Sequence, residues 1–414
     1  VTTEQLIVAV GIILIVARVF GWLFRFIGQP PVIGEITAGI ILGPSFFGRF
    51  FPPAFAWVFP PSSLPALTLL SQLGLLLFLF TVGLQVDLRH IFKQRAAVIL
   101  VSNVSILFPL ALGLGLARFL YPEYGGPNVA FSVFSLFMGA AMSITAFPVL
   151  ARILKECGLL ETELGALAIS CAAIDDVSAW LLLAVLTAVA RSSHDLGHVA
   201  AVLLGLVVFI VIMLVPVRRT AAYFAGVYQK HGLSMGLFSA MILMTLVSAW
   251  TTEKLGLHAL FGAFMAGLVV PKNPTLISET VEKIESVALA LLLPLFFALT
   301  GLRTRIDLLS GARVWIYTLA IIAVAIVGKY VGATLASRAA GTSWRDSTAL
   351  GVLMNTRGLV ELVILNAGLE LGILSPQLFT MMVIMALVTT FMAAPALRIM
   401  KITGKPPAQA ASPV

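Results

Sequence analysis

ALAISCAAIDDVSAWLLLAVLTAVA, residues 166–190, is an apolar run with two adjacent carboxylates, Asp175 and Asp176, near its middle. About 20 apolar residues suffice to cross the hydrocarbon core of a bilayer, so the run reads as a spanning helix. A charge at that depth is expensive and is kept where it lines a cavity, pairs with another group or carries ions. Neighbouring helical residues point about 100° apart, so the two carboxylates cannot share one narrow face. The expectation is a helix that faces a polar interior, where the carboxylates bind a cation and protons in turn. A purely structural, hydrogen-bonded pair is the alternative. Oxygen ligands suit Na⁺ or K⁺, so Asp175 and Asp176 are the candidate ligands for such an ion. No thiol or imidazole stands beside them to suggest another metal.

The rest of the chain agrees with this reading. Of its 414 residues, 60% are hydrophobic and only 11% are charged, and the mean hydropathy is +1.07. Soluble domains carry about 25% charged residues, so the composition excludes a soluble protein and predicts a polytopic α-helical membrane protein. The net charge is +8, from 26 Lys and Arg against 18 Asp and Glu. No basic stripe interleaved with aromatics is present, so nucleic acid is not an expected partner; membrane lipid is. The two cysteines, Cys157 and Cys171, are too few for a disulfide framework and read as packing residues.

Breaks marked by charges, Pro and Gly divide the chain into thirteen expected helices, over 4–22, 32–49, 65–85, 96–118, 128–154, 161–190, 198–216, 233–252, 256–271, 285–302, 312–337, 345–369 and 375–397. The first reads as a spanning helix rather than a cleaved signal peptide, because Arg18 and Arg25 follow it and no cleavage pattern does. A transmembrane domain over 1–400 is expected, with a disordered tail over 401–414. Seventeen Lys and Arg residues follow odd-numbered helices and seven follow even-numbered ones. That bias predicts an N-terminus outside and a C-terminus in the cytoplasm. The remaining two, Lys329 and Arg357, lie inside predicted spans, together with Asp175, Asp176 and Glu361. Glu35 stands near the start of the second span.

Short internal matches suggest a repeat. LLLFLFTVGLQVDL at 75–88 resembles LLLPLFFALTGLRTRIDL at 291–308. Ala38-Gly39 parallels Ala266-Gly267, and Gly139-Ala140-Ala141-Met142 parallels Gly351-Val352-Leu353-Met354. Each match pairs a helix with the seventh after it, and an odd spacing reverses the direction of crossing. The expectation is an inverted-topology repeat over about 1–192 and 230–400, joined by a linker helix over 198–216. Such repeats are typical of secondary transporters, whose sites lie at interrupted helices near the midplane.

Two interrupted stretches occupy corresponding places. The first holds Ser143-Ile144-Thr145-Ala146-Phe147-Pro148, in which Pro removes a helix hydrogen bond. The second is Asn355-Thr356-Arg357-Gly358. Ser143 and Thr145 are candidate ion ligands through hydroxyl or carbonyl oxygen, with a simple Pro kink as the bland reading. Lys329 is the expected charge partner of an aspartate, unless it snorkels to an interface. Arg357 and Glu361 are four residues apart on one helical face and can pair; with Glu35 they form an expected supporting network. His258 reads as an interfacial residue rather than a pH sensor. Residues of this kind fit a carrier. A cation channel is the rival from another class, although no selectivity-filter signature is present. An intramembrane aspartyl protease would need two carboxylates from different elements. There is no P-loop GxxxxGK[ST], so ATP-driven pumping is not expected. The reading as a carrier comes with no enzyme activity and no cofactor.

The joint set PVIGEITAGIILGP (31–44), LFLFTVGLQVDL (77–88), SITAFPVLARIL (143–154), AIDDVSAW (173–180), GKYVGA (328–333) and NTRGLVELVIL (355–365) resembles the cation:proton antiporter-2 family over about residues 5–397. That group includes bacterial sodium/proton antiporters, potassium efflux antiporters and plant cation/proton exchangers. The resemblance implies exchange of Na⁺ or K⁺ for protons by an elevator-like alternating access, in a homodimer with core and dimerisation domains. It implies Asp176 as principal ion and proton carrier and Asp175 as the acid that pairs with Lys329. A plasma membrane location, the inner membrane of a bacterium, follows as an expectation. Some members of that family carry a C-terminal regulatory domain, and gating by such a domain is not expected for this sequence.

Overall fold

The computed structural model describes residues 3–86, 95–126, 129–159, 162–191 and 196–402, and these are helical almost throughout. Eleven helices among them are long and apolar enough to cross a membrane, and two further apolar helices, Phe131–Ser143 and Ala259–Val269, are shorter. In chain order the main helices are α1 (Thr3–Phe26), α2 (Pro31–Leu42), α3 (Leu64–Gln85), α4 (Arg95–Tyr124), α5 (Phe131–Ser143, resuming at Phe147–Glu156), α6 (Glu163–Arg191) and α7 (Leu196–Ile212, continuing to His231). They are followed by α8 (Met235–Lys254), α9 (Ala259–Val269), α10 (Pro274–Val287, continuing to Arg303), α11 (Ala312–Ala339), α12 (Trp344–Met354, resuming at Leu359–Glu370) and α13 (Pro376–Ile399).

Several boundaries depart from the sequence expectation, each for a local reason. α1 runs to Phe26, four residues past the expected end, so Arg25 as well as Arg18 lies inside it. The Arg18 guanidinium donates to the Ala290 carbonyl (3.0 Å), within a π-helical turn at Ala288–Leu292. α10 begins eleven residues earlier than the apolar run suggests, because Asn273 caps it: its side chain accepts from the Thr275 and Leu276 amides, and Pro274 supplies the first turn. α7 does not stop at Pro216. A π-helical turn at Met213–Val217 absorbs the missing amide, as wide turns often do at an internal proline. α2 ends at Leu42, and two short helices, Phe47–Phe50 and Pro52–Val58, follow it. Nearly all of the tail expected beyond Lys401, and the loop holding Arg89 and Lys93, lie outside the described residues.

The chain folds into two compact units. One comprises Val1–Arg18, Glu35–Arg89 and Trp180–Leu302. Its core packs Ala9 and Ile13 of α1 with Leu42, Leu67, Leu295 and Leu299. Two close backbone crossings hold it together. A Cβ on Gly39 would collide with the Ala298 carbonyl, and one on Gly301 with the Ile36 carbonyl, so α2 and α10 touch backbone to backbone. Likewise a Cβ on Gly83 would strike the Phe264 carbonyl, and one on Gly267 the Phe80 carbonyl, where α3 meets α9. Small residues permit such approach in spanning helices. Lys272 donates to the Gly83 and Leu84 carbonyls (both 2.9 Å) and so closes the C-terminus of α3. His258 caps α9, its Nδ1 accepting from the Leu260 amide (3.4 Å). Glu35, on α2, is buried in this unit.

The other unit comprises Val19–Gly34, His90–Ala179 and Arg303–Val414. Its core gathers Leu150, Ile153 and Leu154 of α5, Ala168 and Cys171 of α6, Ala333 of α11 and Leu350 and Leu353 of α12. Both cysteines are buried thiols outside any disulfide, as packing residues would be. Ser343 and Ser375 cap α12 and α13, each hydroxyl accepting from an amide three residues on (3.0 and 3.3 Å). This unit holds Asp175, Asp176, Lys329, Arg357 and Glu361.

Candidate ion-binding site

Both interrupted stretches are real breaks. α5 leaves the helical conformation at Ile144, whose ψ of 138° is extended, and restarts at Phe147. α12 stops at Met354 and restarts at Leu359. A break strands amide and carbonyl groups that a bilayer cannot hydrate, and the two breaks satisfy each other. The Ala146 amide donates to the Thr356 carbonyl (3.0 Å), and the Thr145 hydroxyl donates to the Met354 carbonyl (2.8 Å). Arg357 adds a second tie: its guanidinium donates to the Ala141 and Met142 carbonyls (2.9 and 2.7 Å), covering the C-terminal end of the first half of α5. A cation is favourable at a helix C-terminus. Thr390 of α13 secures the second break, accepting from the Arg357 amide (3.0 Å) and donating to the Arg357 carbonyl (2.8 Å).

α6 presents its two carboxylates to this frame, both 1% exposed. They are treated differently. Asp175 is paired: Lys329 of α11 donates to it at 2.8 Å, with neither side chain exposed. Lys329 is therefore buried and does not snorkel. The Ser105 hydroxyl of α4 lies 3.3 and 3.4 Å from the two Asp175 oxygens, and Thr145 is also near enough to interact. Asp176 has no such company. Neither of its oxygens accepts a well-formed hydrogen bond among the described residues; the Phe147 amide, where α5 restarts, acts on it, as do the charges of Asp175 and Lys329. Buried polar atoms are normally satisfied, so the Asp176 carboxylate has acceptor capacity left that a proton or a cation could use.

Arg357 and Glu361 do meet, at 3.3 Å and fully buried, although neither Glu361 oxygen accepts a hydrogen bond of good geometry. Both act electrostatically on Lys329, so four charges plus Asp176 form one buried network. Ser143 donates to the Gly139 carbonyl (2.6 Å), which spends its hydrogen and leaves its oxygen lone pairs. Ser143 and Thr145 thus retain ligand capacity beside the break, and Asn355 adds a buried side-chain oxygen with no hydrogen-bond partner among the described residues. Glu35 belongs to the other unit. Among the described residues no group of three or more His, Cys, Asp and Glu side chains could hold a metal ion.

Sequence reasoning missed Ser105 and Thr390. Hydroxyls in apolar helices usually bond back to their own backbone, so neither stands out from its neighbours. The one available signal for Ser105 was its spacing of three from Ser102, which puts both on one face of α4.

Helices crossing at two breaks, with charges buried beside them, define a polytopic membrane protein of the antiporter fold. The chain belongs to the sodium/hydrogen exchanger transmembrane family, whose model matches residues 12–400. It is 46% identical to the Na⁺/H⁺ antiporter NhaS4 of Synechocystis sp., over 95% of this chain and 97% of that one. It is 38% identical to cation/H⁺ antiporter 18 of Arabidopsis thaliana and 35% identical to K⁺/H⁺ antiporter 1 of Saccharomyces cerevisiae. In those two alignments it spans about half the relative's length (48% and 45%). The fold is similar to that of the sodium proton antiporter MjNhaP1 from Methanocaldococcus jannaschii, with a TM-score of 0.62 over 96% of this chain and 98% of that one; the identity is 13%, which speaks for the fold alone.

Proposed function

We propose that the chain exchanges a monovalent cation, Na⁺ or K⁺, for protons across the membrane by alternating access. Asp176 is the carrier, Asp175 and Lys329 form the adjacent charge pair, and Ser143 and Thr145 supply neutral oxygens. The observation that carries this reading is the contrast on α6, where one buried carboxylate is ion-paired and its neighbour accepts no well-formed hydrogen bond among the described residues. Two charges cannot be held on Asp176 at once, so cation and proton compete for it; that competition is the coupling. Arg357 and Glu361 are supporting residues that fix the breaks. Names borne by the relatives agree with cation/proton exchange and differ over the cation.

The paired glycine crossings support an inverted repeat. If α2 corresponds to α9 and α3 to α10, the α2–α10 crossing is the counterpart of the α9–α3 crossing, and both are made glycine to glycine. Charge bias in the loops supports an external N-terminus and cytoplasmic C-terminus, and we place the protein in a bacterial inner membrane as a homodimer. The test is exchange in proteoliposomes. Purified protein should alkalinise or acidify the lumen on addition of Na⁺ or K⁺, and Asp176→Asn should abolish the response. Retention of cation-coupled proton flux by Asp176→Asn would overturn the assignment.

A further inference from the structure

Ser105 has one hydroxyl hydrogen and three acceptors within reach. The Ser102 carbonyl lies 3.0 Å away, and the two Asp175 oxygens lie at 3.3 and 3.4 Å. The side chain is fully buried, so no water competes for that hydrogen, and it can serve only one acceptor well at a time. Serine hydroxyls rotate freely enough to exchange acceptors. Lys329 also donates to Asp175, at 2.8 Å.

We propose that Ser105 is a positioning residue for cation loading: its hydroxyl turns from the Ser102 carbonyl to Asp175 and holds that carboxylate in place when the Lys329 contact loosens. This inference rests on the reading of Asp176 as the carrier. A cation arriving at Asp176 brings a second positive charge next to Lys329. The repulsion weakens the Lys329–Asp175 pair at the moment when Asp175 must stay ordered beside the loaded site. A buried carboxylate left without a donor is costly. Ser105 is the donor that α4 places against it, and the helix's own Ser102 carbonyl is where the hydrogen rests meanwhile. Ser102 is the natural control, because its hydroxyl points to the Cys171 carbonyl (3.5 Å) and not to Asp175.

The experiment measures cation-dependent proton exchange at one fixed pH, in proteoliposomes of the full chain, over a range of Na⁺ and of K⁺. Ser105→Ala should raise the KM for the transported cation by about three- to tenfold, the range that a hydrogen bond of ordinary net strength supplies, with kcat within about twofold. Ser105→Thr, which keeps the hydroxyl, should restore KM, and Ser102→Ala should leave it unchanged. Thermal unfolding in detergent is read in parallel. If Ser105→Ala does not fold, Ser105→Cys keeps the volume with a weaker donor and should give an intermediate KM. An unchanged KM in a folded Ser105→Ala or Ser105→Cys protein overturns the proposal, as does equal failure of Ser105→Thr. Asp176→Asn separates the two readings: exchange surviving that change sinks the carrier assignment, whereas unaltered KM at Ser105 in an otherwise active antiporter sinks only the role of Ser105.

Discussion

The two breaks, in α5 and in α12, set the same backbone problem and are finished with different chemistry. At the α12 break a threonine of α13 meets the Arg357 amide and carbonyl, accepting from one and donating to the other. At the α5 break the group on α6 that faces the restarting amide is Asp176, and no well-formed hydrogen bond results. A hydroxyl can give and take at once, so the second break is closed chemically. A carboxylate can only accept when charged, and here its capacity is largely unspent. On the proposed reading, one break is a fixed joint and the other a loading point, although their backbones are tied to each other.

The strongest way to break that comparison is to exchange the roles of the two groups in separate proteins. Asp176→Asn should abolish exchange, since an amide can neither release a proton nor carry the charge that holds a cation. Thr390→Val should leave exchange measurable. Proton flux in proteoliposomes decides it, and the distinction between joint and loading point fails if the two variants behave alike.

The next effect lies in the pair that flanks the loading point. Lys329→Gln removes one partner of a fully buried ion pair and leaves Asp175 uncompensated. A loss of about 3–5 kcal/mol of stability is expected, as for other buried pairs broken on one side. Asp175→Asn combined with Lys329→Gln should recover most of it, because no lone charge remains. Thermal unfolding in detergent of the two single variants and the double variant measures the coupling. Additive losses would show that the 2.8 Å contact does not bind the two residues energetically.

Legibility from sequence divides along the same line. Asp175, Asp176, Lys329, Arg357 and Glu361 could be found because a charge inside an apolar run has no bland explanation. The breaks were visible through Pro148 and Gly358, although neither residue says that the two stretches would hydrogen-bond each other. Partner choice was not visible: either aspartate could have taken Lys329, and only the packing of α4 and α11 against α6 selects Asp175. Ser105 and Thr390 were hidden because a hydroxyl in a spanning helix is satisfied locally by default. Helix ends were misread where composition and capping disagree. The start of α10 is amphipathic and charged, yet Asn273 begins the helix there, and Pro216 fails to end α7 because a π turn accommodates it.

Arg357 tests how far the closed joint protects the open one. Its guanidinium covers the Ala141 and Met142 carbonyls, so Arg357→Gln exposes two carbonyls to a dry interior and strips Glu361 of its partner. A loss of about 2–4 kcal/mol is expected. Part of it should return in the double variant with Glu361→Gln, which removes the orphaned charge but not the uncovered carbonyls. Full recovery in the double variant would mean that the guanidinium matters only as a counter-ion and not as a cover for α5.

The smallest effect expected is that of Thr390→Val on stability. Valine matches the shape of threonine but neither accepts nor donates, so the buried Arg357 amide and carbonyl both lose a partner. An unsatisfied buried group costs about 1–3 kcal/mol, and the carbonyl, with two lone pairs, tolerates the loss better than the amide does. The net loss should therefore fall near the middle of that range, and it should appear in thermal unfolding with the KM for the cation unchanged. A rise in KM would show that the joint at α12 feels the cargo. In that case the two breaks would be a single loading site with two walls, and the contrast between a hydroxyl and a carboxylate would reflect only which wall bears the charge.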